Sequence, residues 1–115
     1  MIKLIAFLKR KPGMTMDEFR DRWVVEHTKL SSKLPGCKGY RINLAIAAQP
    51  DGAPDYDGTA ELWWDSLEEM EASFATRIGQ DAGADGDAFT LVRSHLYTEE
   101  HIVIPGPLPD NRTRG

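Results

Sequence analysis

Two residues of this 115-residue sequence combine a suitable side chain with a suitable spacing for proton chemistry. His27 follows Trp23 by four positions and precedes Leu30 by three, which sets it on or beside the apolar stripe of a helix. Imidazole is the one side chain that titrates near neutrality without help from its surroundings, so His27 is a candidate general acid or base. Tyr40 opens a strand in which it shares parity with Ile42 and Leu44, the more apolar face and the one a helix would cover. A phenol and an imidazole converging in an apolar pocket suit proton abstraction with stabilisation of the resulting oxyanion. Read more plainly, the same spacings describe a buried, hydrogen-bonded histidine and a half-buried tyrosine with its hydroxyl at the rim.

Trp23 and Trp64 flank the same space, where core packing is the favoured explanation for both; as a pocket wall they would act with Phe74. Glu61 falls mid-strand, where a carboxylate needs a partner; Arg41, of matching parity on a neighbouring strand, is the expected one. His95 and His101 share parity with Tyr97 and Glu99 and read as edge or interface residues, since no third ligand stands at metal spacing. Cys37 follows a Pro-Gly turn with nothing nearby to activate a thiol. No Ser-His-Asp order, phosphate-binding loop or dinucleotide fingerprint is present.

The elements that must position these residues read out in order. Met1–Lys9 is an apolar strand halted by Lys-Arg-Lys-Pro-Gly. Thr15 and Glu18 have the spacing of a capping box, with Met14 and Phe19 as its hydrophobic staple. Phe19, Trp23, Glu26 or His27, Leu30 and Leu34 then recur at helical spacing until Pro35-Gly36. Tyr40–Ala47 is a second strand, Ala48–Asp57 a loop, and Gly58–Asp65 a third strand. Ser66 and Glu69 form a second capping box, opening a helix with Leu67, Met70, Phe74 and Ile78 on one face and Gly79 as its stop. Gln80–Asp87 reads as a solvated acidic loop; its Asp81, Asp85 and Asp87 lack the spacing of an EF-hand. A fourth strand lies within Val92–Ile104, and Pro105–Gly115 is a polar tail beyond a domain of residues 1–104. This order is the split βαβ, ferredoxin-like α+β pattern: βαββαβ, an antiparallel four-stranded sheet and two helices on one face.

Strands with apolar residues on both faces imply that the open side of such a sheet is also covered. Residues Leu4–Leu8 are apolar throughout, and Trp63 opposes Ala60, Leu62 and Trp64. The expected cover is a second copy, giving a homodimer packed sheet to sheet into an α/β barrel.

Composition excludes much else. At 41% hydrophobic and 28% charged residues the chain is globular, and no apolar run approaches the length needed to span a bilayer. Residues 1–9 lack the form of a signal peptide, and one cysteine excludes an intrachain disulfide framework, so the expected setting is cytoplasmic. Residues 1–50 carry ten Lys/Arg and four Asp/Glu, residues 51–115 four and fourteen, so the halves stand at +6 and −10. Such a split is either an incidental gradient or a sign that basic and acidic surfaces meet on self-association. Basic residues that are scattered, in a net-acidic chain, argue against nucleic acid as a partner.

Several of these residues together resemble the EthD domain family of the dimeric α/β-barrel superfamily. They are Met-Ile-Lys-Leu-Ile at residues 1–5, Leu8 to Met14, Phe19-Arg20, Trp23, Glu26-His27, Leu34-Pro35-Gly36, Tyr40, Asp57-Gly58, Ala60 to Ser66 and Glu99-Glu100-His101. The resemblance implies a ferredoxin-like protomer whose sheets pair into a barrel. It is also similar to an isomerase of the family in which the helix histidine and the strand tyrosine, here His27 and Tyr40, line the active site. That isomerase's strand-three thiol and loop histidine have no counterpart: Leu62 holds the strand position and Ala48–Asp57 contains no histidine.

The expected function is a cofactor-independent isomerase or lyase (dehydratase type) acting on a small cyclic or aromatic, carbonyl-bearing metabolite. His27 would move the proton and Tyr40 would donate to the oxyanion, while Trp23, Trp64 and Phe74 shape the pocket. No metal and no cofactor is expected. The alternative is a non-catalytic protein that binds a small hydrophobic ligand, as an accessory of an oxygenase or degradation pathway. A further alternative, haem binding, would use His27, His95 or His101 as axial ligand.

Overall fold

Strand β1 (Ile2–Arg10) has hydrogen-bonded neighbours on both sides, because its residues are apolar enough to lie at the centre of a sheet. In the computed structural model, which describes residues 1–50, 52 and 54–107, it pairs with β3 (Gly58–Trp64) and β4 (Thr90–Glu99). β2 (Gly39–Leu44) lies outside β3, giving the order β2-β3-β1-β4 with every pair antiparallel. Helices run between β1 and β2 and between β3 and β4. This is the ferredoxin-like α+β fold anticipated from the sequence.

One face of the sheet makes the core. Leu4, Ala6 and Leu8 of β1 and Ala60, Leu62 and Trp64 of β3 alternate inward, where they meet Phe19, Trp23, Met70, Ala82 and Phe89 from the helices. Phe19 stacks between Trp23 and Phe89, with ring centroids 5.3 and 5.8 Å away.

Helix α1 covers residues 16–31 in three continuous segments: α-helical Met16–Arg20, a π-helical stretch Asp21–His27, and α-helical Thr28–Ser31. Its start is the anticipated capping box, in which Glu18 N–H donates to Thr15 Oγ1 (3.1 Å) and Thr15 N–H to Glu18 Oε1 (2.9 Å). α2 (Leu67–Ala75) forms only half of its expected box: Glu69 N–H donates to Ser66 Oγ at 3.1 Å.

The acidic loop expected at Gln80–Asp87 is instead helix α3 (Arg77–Phe89), and Gly79 does not stop α2. Thr76, in extended backbone conformation, ends α2 and caps α3 by accepting the Gly79 N–H (3.1 Å). Gly79 is where the two helices touch: a Cβ there would sit 2.5 Å from Ser73 O. Gly79, Ala82, Gly86 and Phe89 form a buried stripe at spacings of three and four. Residues of low helix propensity thus remain helical because tertiary packing outweighs propensity.

Two strand boundaries also shift. β2 ends at Leu44 rather than Ala47: one further in-register bond, Ala45 N–H to Asp57 O (2.9 Å), closes the ladder, and Ile46 beyond it is fully exposed. β4 starts at Thr90, directly from α3, and ends at Glu99. Of the expected tail, residues 108–115 lie outside the described residues.

On the open face Glu61 takes Lys3 as its ion partner (2.6 Å), not Arg41. Arg41 is in register with Glu61, yet its guanidinium lies over the Trp63 ring at 5.7 Å. Lys3 also reaches Glu100 at 2.7 Å, Arg10 pairs with Asp57 at 2.9 Å and Arg22 with Asp85 at 2.6 Å. Each of these bridges joins the basic half of the sequence to the acidic half. Part of the +6/−10 division is thus met by pairing within the protomer.

Candidate active site

The π-helical stretch is the local feature from which the site is built. Arg22 and His27 are five residues apart, which in an α-helix would point them about 140° away from each other. The wider π turn, with its i→i+5 hydrogen bonds, brings such residues onto one face. Both side chains then reach one carboxylate on α3. Arg22 Nη2 and Nη1 donate to Asp85 Oδ1 and Oδ2 at 2.6 and 3.0 Å, and His27 Nδ1 meets Oδ2 at 2.8 Å. The Phe89 ring backs both, with its centroid 4.8 Å from the guanidinium and 5.4 Å from the imidazole.

Two opposite pKa shifts give this cluster its polarity. Asp85 is held down to about 2, chiefly by the Arg22 hydrogen bonds and further by His27, so it is ionised at neutral pH. His27 is also lowered, because burial of its ring outweighs the attraction of Asp85. A neutral His27 beside an ionised carboxylate must carry its proton on Nδ1. Nε2 therefore holds a lone pair, and it has no hydrogen-bond partner among the described residues. An imidazole in that state accepts protons.

Tyr40, from β2, enters the same space from the sheet side. Its hydroxyl lies 2.8 Å from Ser31 Oγ at the end of α1, and burial raises its pKa, so it remains a protonated donor. Between the helices and the sheet runs a cavity of about 430 Å³, lined by His27, Tyr40, Ser31, Trp23, Phe74 and Leu62 among others. This volume is in the range for sites that enclose small molecules.

The structure thus brings four of the five expected site residues to one cavity: His27, Tyr40, Trp23 and Phe74. Trp64 stands apart from the wall, fully buried, with its Nε1–H on Pro35 O (3.0 Å) and its ring against Phe74 (5.3 Å). His95 lines the cavity rather than serving only the sheet edge, and its Nε2 accepts from Arg93 Nη1 at 3.1 Å. His101 is exposed and bonded to Glu99 (2.6 Å). Burial raises the Cys37 pKa, and its thiol donates to Gly39 O, so it is not an activated nucleophile. Among the described residues no group of three His, Cys, Asp or Glu could hold a metal ion. No helix among them is long and apolar enough to cross a membrane.

Sequence reasoning missed Asp85, Arg22 and Arg93. A signal for Asp85 existed in the spacing of Ala82, Gly86 and Phe89, which makes α3 a helix with residue 85 beside its buried stripe. No comparable signal marks the π turn that aligns Arg22 with His27.

Comparison with known proteins decides the family. The model of the EthD domain matches residues 11–91. The chain belongs to the EthD domain family. No curated protein matches the sequence. Among solved structures, an EthD family protein from Bacillus halodurans C-125 superposes with a TM-score of 0.77 at 24% identity, covering 88% of this chain and 99% of that one. Hydroxynitrile lyase from Passiflora edulis gives 0.69 at 12% identity, with 90% and 96% covered. SnoaB, a cofactor-independent oxygenase from Streptomyces nogalater solved as a mutant, gives 0.64 at 11%, with 91% and 97% covered. These identities establish a shared fold. The EthD chain therefore carries its own His27–Asp85–Arg22 and Tyr40–Ser31 groups on a frame also found in small-molecule enzymes.

Proposed function

We propose that this EthD domain is a cofactor-independent acid/base enzyme, of isomerase or lyase type, for a small cyclic or aromatic metabolite bearing a carbonyl group. The observation that carries this reading is His27 in an apolar cavity, its Nε2 without a partner among the described residues and its Nδ1 held by an ionised carboxylate. The carbon next to the carbonyl gives its proton to His27 Nε2, and the C–H electron pair passes to the carbonyl oxygen. Tyr40 donates a hydrogen bond to that oxygen as negative charge develops on it. Asp85 stabilises the imidazolium so formed, as a buried carboxylate does in other His-based sites. Return of the proton at another carbon completes an isomerisation. Departure of a β-substituent with its bonding electrons completes an elimination, the imidazolium supplying the leaving group's proton.

A generic carbon acid tests this. In D2O, 2-tetralone should exchange its α-protons faster with the protein than in buffer alone. His27→Ala should lower that exchange by about a hundredfold or more. Exchange at the buffer rate overturns the catalytic reading, and binding of the ketone without exchange assigns the chain to the alternative role of ligand-binding or accessory protein.

A homodimer, packed through the open face of the sheet, belongs to the same proposal. Ile5, Phe7, Trp63 and Leu96 lie on that face by register, and Leu96 is 53% exposed in the protomer. A monomeric mass by light scattering in dilute solution would remove it. A lone, part-buried cysteine suits a reducing compartment such as the cytoplasm.

A further inference from the structure

At the β4 side of the cavity stands a second charged group, which the proton-transfer reading leaves unused. Arg93 and His95 of β4 face the helices, since they pair with Leu8 and Ala6 of β1, and both line the cavity. We propose that Arg93 and His95 form an anion subsite, and that the metabolite taken up here carries a carboxylate in addition to its reactive carbonyl. This rests on the cavity being the ligand site and names the class of ligand.

The first support is how Arg93 is seated. Helix α3 carries Gly83 and Gly86 in its interior, where each glycine costs about 1 kcal/mol relative to alanine. A Cβ at Gly86 would lie 3.0 Å from Arg93 Nε and 3.2 Å from Cδ; at Gly83 it would lie 3.9 Å from Nη2. The helix is thus cut away at Gly86, where the guanidinium lies along it, whereas a Cβ at Gly83 would make ordinary contact. Gly83 O and the Asp87 carboxylate then hold Nη2 (3.2 and 3.0 Å), and Asp87 also holds Nε (3.2 Å). An arginine 23% exposed is fixed at the cavity wall rather than extended into solvent.

The second support is a count of donors. A guanidinium has five N–H groups. Nε–H and the two on Nη2 are spent on Asp87 and Gly83 O, and one on Nη1 goes to His95 Nε2, leaving one. His95, accepting at Nε2, carries its proton on Nδ1, and that N–H has no partner among the described residues. The remaining Nη1–H is a cationic donor that a carboxylate oxygen would bind most strongly, and the Nδ1–H, across the ring from it, is a separate neutral donor. Glu71, at the same mouth, is exposed and solvated, and it makes no ion pair among the described residues. Phe74 and His95, with ring centroids 6.3 Å apart, flank the path between this end and the Tyr40 end.

Calorimetric titration of the whole chain with 2-naphthoate and its neutral isostere 2-naphthamide tests the subsite by binding alone. Wild type should prefer the carboxylate by about tenfold, the worth of one charge-assisted hydrogen bond. Arg93→Met should abolish the preference by weakening 2-naphthoate far more than 2-naphthamide, and His27→Ala should retain it. Equal binding of the two probes to wild type overturns the subsite, a result that needs no variant to fold. So does a preference that survives in Arg93→Met. Failure of both probes to bind overturns the subsite together with the cavity reading. Equal binding alongside catalysed 2-tetralone exchange overturns the subsite alone.

Discussion

The two histidines of the cavity each belong to an Arg–Asp–His cluster, and the order of the partners makes them opposites. At one end Asp85 of α3 touches both Arg22 and His27, so the carboxylate binds the imidazole directly at Nδ1. At the other end Asp87 of the same helix touches Arg93, and Arg93 in turn touches His95 at Nε2. Both rings are neutral near pH 7, since burial lowers each pKa, with the Arg93 charge a second cause at His95. His27 nevertheless offers a lone pair and His95 offers an N–H. A carboxylate against an imidazole leaves a base, whereas a guanidinium against it leaves a donor. Under the proposed function the same three residue types would divide the work, with proton acceptance at one end and anion recognition at the other.

Replacing each histidine is the strongest way to break this contrast. His27→Ala should lower catalysed exchange by about a hundredfold or more, whereas His95→Gln, which retains an acceptor and a donor, should alter it only a few-fold. Equal losses, measured as exchange rate at saturating ketone, would mean that the two ends are not distinct.

The carboxylates separate next. Asp85→Asn should destabilise the fold by about 2 kcal/mol, because it removes charge-assisted bonds to two part-buried partners. Asp87 is 71% exposed, and Asp87→Asn should cost less than about 1 kcal/mol. Urea unfolding at pH 7 reads both.

That difference is pH-dependent with a defined sign. Asp85 titrates lower in the folded chain than in the unfolded one, so its contribution is complete well above pH 3.8 and is lost as pH falls toward about 2. The wild-type advantage over Asp85→Asn should shrink through that window. His27 acts on activity in the same direction: exchange should be constant at neutral pH and fall on acidification only below 6.5, the ordinary imidazole value.

Much of the framework was legible because it rests on patterns of period two and of three to four residues. Thr15 with Glu18, the Phe19–Trp23–His27 spacing and the parity of Tyr40 with Ile42 each predict what is found. His27 and Tyr40 were picked out by type and spacing and line one cavity, but Asp85, which bonds His27 Nδ1, was not. Asp85 lies in a run of Gly, Ala and Asp whose composition says loop, and only contact of its small residues with the core makes it a helix. Arg22 was hidden by the π turn, since α-helical periodicity places it away from His27. The ion partner of Glu61 was misassigned because register offers both Lys3 and Arg41, and Arg41 lies over Trp63. Local pattern thus reveals which residues face the core, whereas the pairing of charges depends on helix geometry and contacts across the fold.

The smallest expected effect concerns the glycines behind the anion end. Gly83→Ala, where a Cβ has ordinary contact, should stabilise the protein by about 0.5–1 kcal/mol. Gly86→Ala crowds Arg93 and should gain less or destabilise, with thermal unfolding as the measure.

The proposed function requires a neutral His27 with its proton on Nδ1. Nitrogen-15 NMR of the imidazole rings, followed through a pH titration, tests this without any substrate. The expected result is the Nδ1–H tautomer at pH 7 and a pKa below the ordinary imidazole value of 6.5. An Nε2–H tautomer, or a His27 that is already cationic at pH 7, would contradict it.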